Sequence, residues 1–187
     1  MKKKLIEDPK YIIGIDSSTK SIAFSIFHEK NLIKYGKINF KGSNVFIRAG
    51  DASRKCAQLF KEFPSGLIVI EKAVFVNNRN TAMELSFMQG AILGSVQHYN
   101  SFEIKRVPPQ QWQHGIGNGP LTDYRKQKIM QENPGHVPSF YRARQREFRK
   151  QRTIAIVNKL YGLCVSDDDV ADAIGIGHFA LENWRIL

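Results

Sequence analysis

Two short segments constrain this chain more than any other feature. Tyr11-Ile-Ile-Gly-Ile15 and Leu67-Ile-Val-Ile70 are almost wholly apolar, and each stops on a carboxylate, Asp16 and Glu71. Runs this short, bounded by turn residues, suit strands buried on both faces rather than helices. Such strands need a covering layer on each side, so the rest of the chain must supply helices.

The remaining pattern meets that demand. Ser17-Ser-Thr-Lys20 supplies turn chemistry, Ser21 to Phe27 alternates as a half-buried strand, Glu29-Lys30-Asn31 turns again, and Leu32 to Phe40 reads as a third strand. Residues 44–63 predict a helix with Ala49, Ala52, Cys56, Leu59, Phe60 and Phe63 along one face, closed by Pro64-Ser-Gly66. Residues 81–98 predict a second helix. It carries Ala82, Ser86, Gly90 and Gly94 at four-residue steps, a face on which another backbone can approach closely. Phe102 to Val107 is a short strand stopped by Pro108-Pro109, and glycine and proline then break up residues 115–138. A helix from about 139 to 161 ends at Gly162, and Ser166 is placed to cap a last helix over about 167–183. The order βββαβαβ followed by helices predicts an α/β fold: a mixed sheet of three antiparallel strands and then parallel strands, flanked by helices. At 187 residues the chain is expected to form one domain, 1–187.

The formal charge is +11, which favours polyanionic partners. The excess is uneven. Within 122–153 lie Arg125, Lys126, Lys128, Arg142, Arg144, Arg146, Arg149, Lys150 and Arg152 against Asp123, Glu132 and Glu147, with Tyr124, Phe140, Tyr141 and Phe148 interleaved. Cations with aromatic neighbours suit phosphate contact and base stacking, so these nine are candidate nucleic-acid contacts. Cys56 and Cys164 have no CxxC spacing and read as buried, reduced thiols. Met1-Lys-Lys-Lys4 is followed by no signal-type apolar stretch, and no segment reaches membrane-spanning length, so a cytoplasmic protein is expected.

In so basic a chain the informative residues are acids. Asp16 and Glu71 end the two apolar strands, and Asp169 and Asp172, three apart at the start of the last helix, share a face. Each has a plain reading as a turn former, a solvated strand end or a helix-start acid. Together in one cleft they would repel one another unless cations neutralised them. Hard oxygen ligands without a His/Cys set select Mg²⁺ or Mn²⁺, and such ions beside a basic groove suit in-line attack of water on a phosphodiester.

Gly14-Ile-Asp-Ser-Ser-Thr-Lys-Ser21, Ile70-Glu-Lys72 and Asp168-Asp-Val-Ala-Asp-Ala173, in that order and spacing, resemble the three acidic motifs of RuvC-type Holliday junction resolvases. These belong to the RNase H-like (retroviral integrase) superfamily; phage-encoded members are similar in character, and poxvirus resolvases share the Asp-Asp-Val-Ala-Asp pattern. The resemblance covers about 11–112 and 150–183. It implies an RNase H-like sheet with a basic insertion at about 115–153. It also implies Asp16, Glu71, Asp169 and Asp172 as catalytic and metal-binding residues for two Mg²⁺ or Mn²⁺ ions, with no small-molecule cofactor. The activity implied is that of a homodimer that resolves four-way DNA junctions by paired nicks, in a bacterial or infected host cell. The helix over 81–98, through Ser86, Gly90 and Gly94, becomes the implied dimer seam. Phe75 matches in kind an aromatic placed near the junction crossover, and equally suits a packed loop residue. Lys150 lies near a basic residue of the family, and Lys20 reads as either a phosphate-side or a turn lysine.

Three alternatives stay open on the residues themselves. An RNase H-like nuclease could cut RNA–DNA hybrids or flaps instead. Gly14-Ile-Asp16 followed by Ser18-Thr-Lys20 also resembles the first phosphate loop of actin-like and sugar-kinase ATPases, which are about twice this length. A non-catalytic nucleic-acid-binding module would use the basic tract alone. His28, His98, His114, His136 and His178 show no ligand spacing, and Trp112 reads as a core anchor.

Overall fold

The computed structural model describes residues 8–72, 79–99 and 101–187. Five strands form one sheet: β1 (Tyr11–Ser17), β2 (Ser21–His28), β3 (Asn31–Asn39), β4 (Ser65–Glu71) and β5 (Ser101–Val107), in the order β3-β2-β1-β4-β5. β1, β2 and β3 run antiparallel in sequence, whereas β4 lies parallel to β1 and β5 parallel to β4. This is the expected mixed sheet. The β2–β3 connection is a two-residue turn with both Glu29 and Lys30 at positive φ (47° and 71°), the mirror-image turn that matches strand twist.

Strand alternation sorts the core into two layers. Ile13 and Ile15 of β1 and Ile68 and Ile70 of β4 face α1 (Val45–Phe60) and α2 (Arg79–Tyr99), packing with Ala52, Cys56, Phe60, Met88, Ile92 and Val96. Ile12, Leu67 and Val69 point the other way, into a second cluster with α6 (Asp168–Asn183), Trp112 of α3 (Pro109–Gly115) and Val157 of α5 (Pro138–Tyr161). β1 and β4 are thus covered on both faces, as their apolar runs require. Asn44 caps α1 by accepting from the backbone N–H of Phe46 and Ile47. Gly162 ends α5 with φ 64°, the left-handed stop that glycine takes without steric cost.

The structure differs from expectation at four places. Residues 109–115 and 123–132, read as strand-end and irregular chain, form α3 and α4 (Asp123–Glu132). Pro108-Pro109 does stop β5, but Pro109 also begins α3, where a missing N–H costs nothing. α4 escapes notice because its polar sequence buries only Ile129, so it has almost no apolar period. The cap of α6 is Asp167, which accepts from Val170 N–H, rather than Ser166. Cys56 is buried as expected, but Cys164 is exposed in the α5–α6 connection. Among the described residues no helix is long and apolar enough to cross a membrane.

Candidate active site

Asp16 shares a face with Ile12 and Gly14, and Glu71 shares one with Leu67 and Val69, because side chains alternate along a strand. Both acids therefore point to the α6 side. The parallel register pairs Ile15 with Ile70, which sets Asp16 and Glu71 beside each other at the carboxyl edge of the sheet. In open α/β sheets that edge is where ligands bind.

α6 brings the other two acids to the same edge. A Cβ added at Gly14 would lie 2.4 Å from both the Ala173 carbonyl oxygen and the Gly177 nitrogen, so helix backbone rests directly on β1. A Cβ on Gly177 would in turn meet Phe27 at 2.4 Å and the Ser25 hydroxyl at 2.5 Å. Ser25 Oγ donates to the Ala173 carbonyl at 2.7 Å and pins the crossing. Asp172, next to Ala173, is thereby held over the end of β1. Asp169 lies one turn nearer the helix start.

The electrostatics record that gathering. Burial first, then the charges of Glu71, Asp172 and Asp169, push Asp16 well above the usual carboxylate range, with Lys150 opposing. Burial, followed by Glu71, raises Asp172 to about 7, against a hydrogen bond from Thr153 and the charge of Lys150. Glu71 is also raised by burial, with the Trp112 hydrogen bond and Arg146 opposing. Among the described residues, Oδ1 of Asp172 is buried without a hydrogen-bond partner. Three half-buried, mutually repelling carboxylates with an orphaned oxygen form a donor set that divalent cations with hard oxygen preferences fit. Asp16, Glu71, Asp169 and Asp172 thus share one edge of the sheet, half-buried and within range of one another's charge; among the described residues, the acids whose oxygens all lie within 4.8 Å of one another are Asp167, Asp168 and Asp169.

Lys37, Thr153 and Asn118, which the sequence did not single out, and Lys150 and Trp112, which it did in other roles, complete the site. Lys37 Nζ lies 2.6 Å from Asp169 and 3.0 Å from Asp167, and Lys150 pairs with Asp168. These pairs tie down the Asp167–Asp169 cluster, whose carboxylates offer oxygens within 4.8 Å of one another. Lys37 could have been found by counting register: it pairs with Ala23, which pairs with Asp16. Trp112, fully buried as expected, also donates its indole N–H to Glu71 Oε2 at 2.8 Å. Thr153 beside Asp172 accepts from Asn118 Nδ2 at 2.8 Å, an arrangement with no sequence signal because Asn118 sits in an irregular loop.

A cleft of about 400 Å³ is lined by two of the acids, Glu71 and Asp172, together with Thr153, Arg146, Arg149 and Lys150. Arg142, Arg146, Arg149, Lys150 and Thr153 fall on one stripe of α5 by helical period, so a cationic rail leads to the carboxylates. The other expected nucleic-acid contacts are engaged within the protein. Arg125 stacks over Phe148 at 4.2 Å and Arg144 over Phe140 at 5.4 Å. Arg152 donates to the carbonyls of Gly117 (3.3 Å) and Gly119 (3.0 Å), Lys126 pairs with Asp123, and Lys128 with Glu132. Ser86, Gly90 and Gly94 are exposed on α2. Lys20 is exposed in the β1–β2 turn, and His178, away from the acids, hydrogen-bonds Tyr161. Phe75 lies outside the described residues.

No family model and no curated protein matches the chain by sequence. Solved structures do match its fold. T. thermophilus RuvC in complex with Holliday junction substrate superposes with a TM-score of 0.68 at 13% identity, covering 94% of this chain and 96% of that one. A second structure of Thermus thermophilus RuvC gives 0.65 at 15% identity over the same shares. The chain therefore has the RuvC-like, RNase H-like fold.

Proposed function

We propose that this chain is a metal-dependent endonuclease of branched DNA, a crossover junction endodeoxyribonuclease that resolves four-way junctions by paired phosphodiester hydrolysis. One observation carries the reading: half-buried Asp16, Glu71 and Asp172, with Asp169 one turn away, share the sheet edge, and Glu71 and Asp172 line a cleft walled by the α5 cations. The fold match to a RuvC structure titled as a complex with a Holliday junction substrate supports the choice of substrate.

Asp16, Glu71, Asp169 and Asp172 would hold two Mg²⁺ or Mn²⁺ ions. Ions held there would polarise a phosphodiester oxygen and acidify an attacking water. The chain's own groups do the rest. Arg146 and Arg149 bind the phosphates flanking the scissile bond, Arg142 extends the grip along the backbone, and Lys150, paired with Asp168, exchanges that carboxylate for a phosphate when DNA arrives. The buried wall of Trp112, Thr153 and Asn118 keeps bulk water from behind the carboxylates. The reading takes 1–187 as one domain, with the 115–153 segment as its DNA-gripping insertion. Free thiols at Cys56 and Cys164 suit the reducing cytoplasm of a bacterial or infected host cell.

Paired nicks call for a homodimer, and α2 offers its seam. A Cβ on Gly90 or Gly94 would meet nothing within 4 Å. Nearby, Met83 (70%), Phe46 (69%), Ile47 (54%) and Phe87 (45%) are exposed, with Phe46 and Phe87 in edge contact at 5.3 Å. An apolar cluster of this kind is what a partner surface covers.

The test compares nicking of a labelled immobile four-way junction, a flap and an RNA–DNA hybrid, in Mg²⁺ and in Mn²⁺. The wild type is expected to nick the junction in pairs. Asp16→Asn should still bind it, but nick at least about a hundredfold more slowly, since metal stabilisation of transition-state charge amounts to several kcal/mol. Preferential cutting of hybrid or flap would keep the chemistry and reassign the substrate. A wild type that cuts none of the three, or an Asp16→Asn variant nicking at the wild-type rate, would refute the nuclease reading.

A further inference from the structure

Behind Glu71 stands a residue placed to touch neither substrate nor ion. Trp112 is 0% exposed and packed in the cluster between the sheet and α6. A buried indole needs a partner for its N–H. Here the partner is not a backbone carbonyl but Oε2 of the candidate ligand Glu71, at 2.8 Å.

The indole has little room to move. α3 starts two residues after β5 ends, because Pro108 caps it and Pro109 occupies its first position, so Trp112 arrives one turn later beneath the sheet edge. A Cβ on Gly175 would lie 2.9 Å from Trp112 Cζ3 and 3.1 Å from Ile116 Cδ1, so α6 presses directly on the ring. A Cβ on Gly115 would meet Phe179 at 2.3 Å, which fixes the other end of α3 against α6. A glutamate has three side-chain torsions to immobilise before it can serve as a ligand. A donor locked in the core removes most of that freedom ahead of binding.

Resting on the metal-centre reading above, we propose that Trp112 is a positioning residue. Its indole N–H holds Oε2 of Glu71 and so presents Oε1 to a divalent cation. The residue acts through Glu71 and takes no part in bond making.

The test titrates Mn²⁺ alone into the intact protein by calorimetry and compares wild type with Trp112→Phe, which keeps an aromatic ring and loses the donor. Loss of such an outer partner weakens metal affinity by about 10–100-fold, the result expected here. The melting temperature without metal should fall, because a fully buried indole gives way to a smaller ring, yet junction nicking should recover towards the wild-type kcat at saturating Mn²⁺. That split between metal affinity and kcat is one that general loosening of the core would not give. A wild type that binds Mn²⁺ with a Trp112→Phe variant binding equally tightly would overturn the Trp112 role and leave the metal centre standing. A wild type that binds no Mn²⁺ would overturn both. Should Trp112→Phe fail to fold, Trp184→Phe leaves Trp112 as the sole tryptophan. Its emission should then be quenched by paramagnetic Mn²⁺ with the calorimetric midpoint. Binding without any change in that emission would refute the contact.

Discussion

Replacing Asp172 by asparagine should stabilise the metal-free protein, and by an amount that depends on pH in one direction only. In the folded state burial and Glu71 raise Asp172 from 3.8 to about 7. Between those values the folded state holds a proton that the unfolded chain has released, so stability falls as pH climbs through that window. Below it the acid is neutral in both states and costs nothing. Above it the full penalty applies: at about 1.4 kcal/mol per pH unit of displacement it amounts to about 4 kcal/mol. For a chain of this size 1 kcal/mol moves the melting temperature by about 2–4 °C, so the penalty corresponds to about 8–16 °C. Asparagine keeps the shape and cannot ionise. Thermal melts in EDTA should therefore find wild type and Asp172→Asn alike near about pH 4, with the variant ahead by that margin at about pH 8. Saturating Mg²⁺ should close the gap, because it stabilises the wild type by binding the folded state alone and finds one ligand fewer in the variant. A gap that does not grow with pH, or one that Mg²⁺ widens in favour of the variant, would refute the reasoning.

Other consequences can be measured directly. Gly14→Ala should cost about 3 kcal/mol or more in urea unfolding, since its Cβ would overlap α6 backbone that no side-chain rotation can move; a loss under about 1 kcal/mol would contradict the contact. Removing Arg142, Arg146 and Arg149 together should weaken junction binding and lower the log–log salt slope by about 3, at about 0.9 per phosphate contact; an unchanged slope would move the DNA path off α5. Met83→Asp should convert a dimer seen by sedimentation into a monomer while leaving the melting profile of the isolated chain similar. Dimers persisting in that variant would place the seam elsewhere.

The sheet and its two helical layers were legible because β1 and β4 are apolar on both faces and the helices carry clear apolar stripes. Asp16 and Glu71 were legible for a related reason: a carboxylate ending a buried strand stands out, and alternation then dictates its face, whereas Asp169 and Asp172 were picked out by their three-residue spacing at the start of a helix. Much of what surrounds them was not. α4 buries little besides Ile129, so periodicity had nothing to register. The Trp112–Glu71 and Asn118–Thr153 hydrogen bonds join side chains far apart in sequence, and only the packed fold brings them within reach. Arg125 and Arg152 show a further limit of composition. A cation is counted the same whether it faces solvent, lies on Phe148 or donates to a loop carbonyl.

The crossing of α6 over β1 has a wider implication. With hydrogen alone on Gly14 and Gly177, the gap between sheet and helix is measured in main-chain atomic radii. At Gly14 that ruler touches only main chain, and beyond the Phe27 ring and Ser25 hydroxyl against Gly177 it asks little of the surrounding side chains. The distance it sets can survive wholesale replacement of most of what lies around it, and two chains with little lettering in common can keep the same calibration.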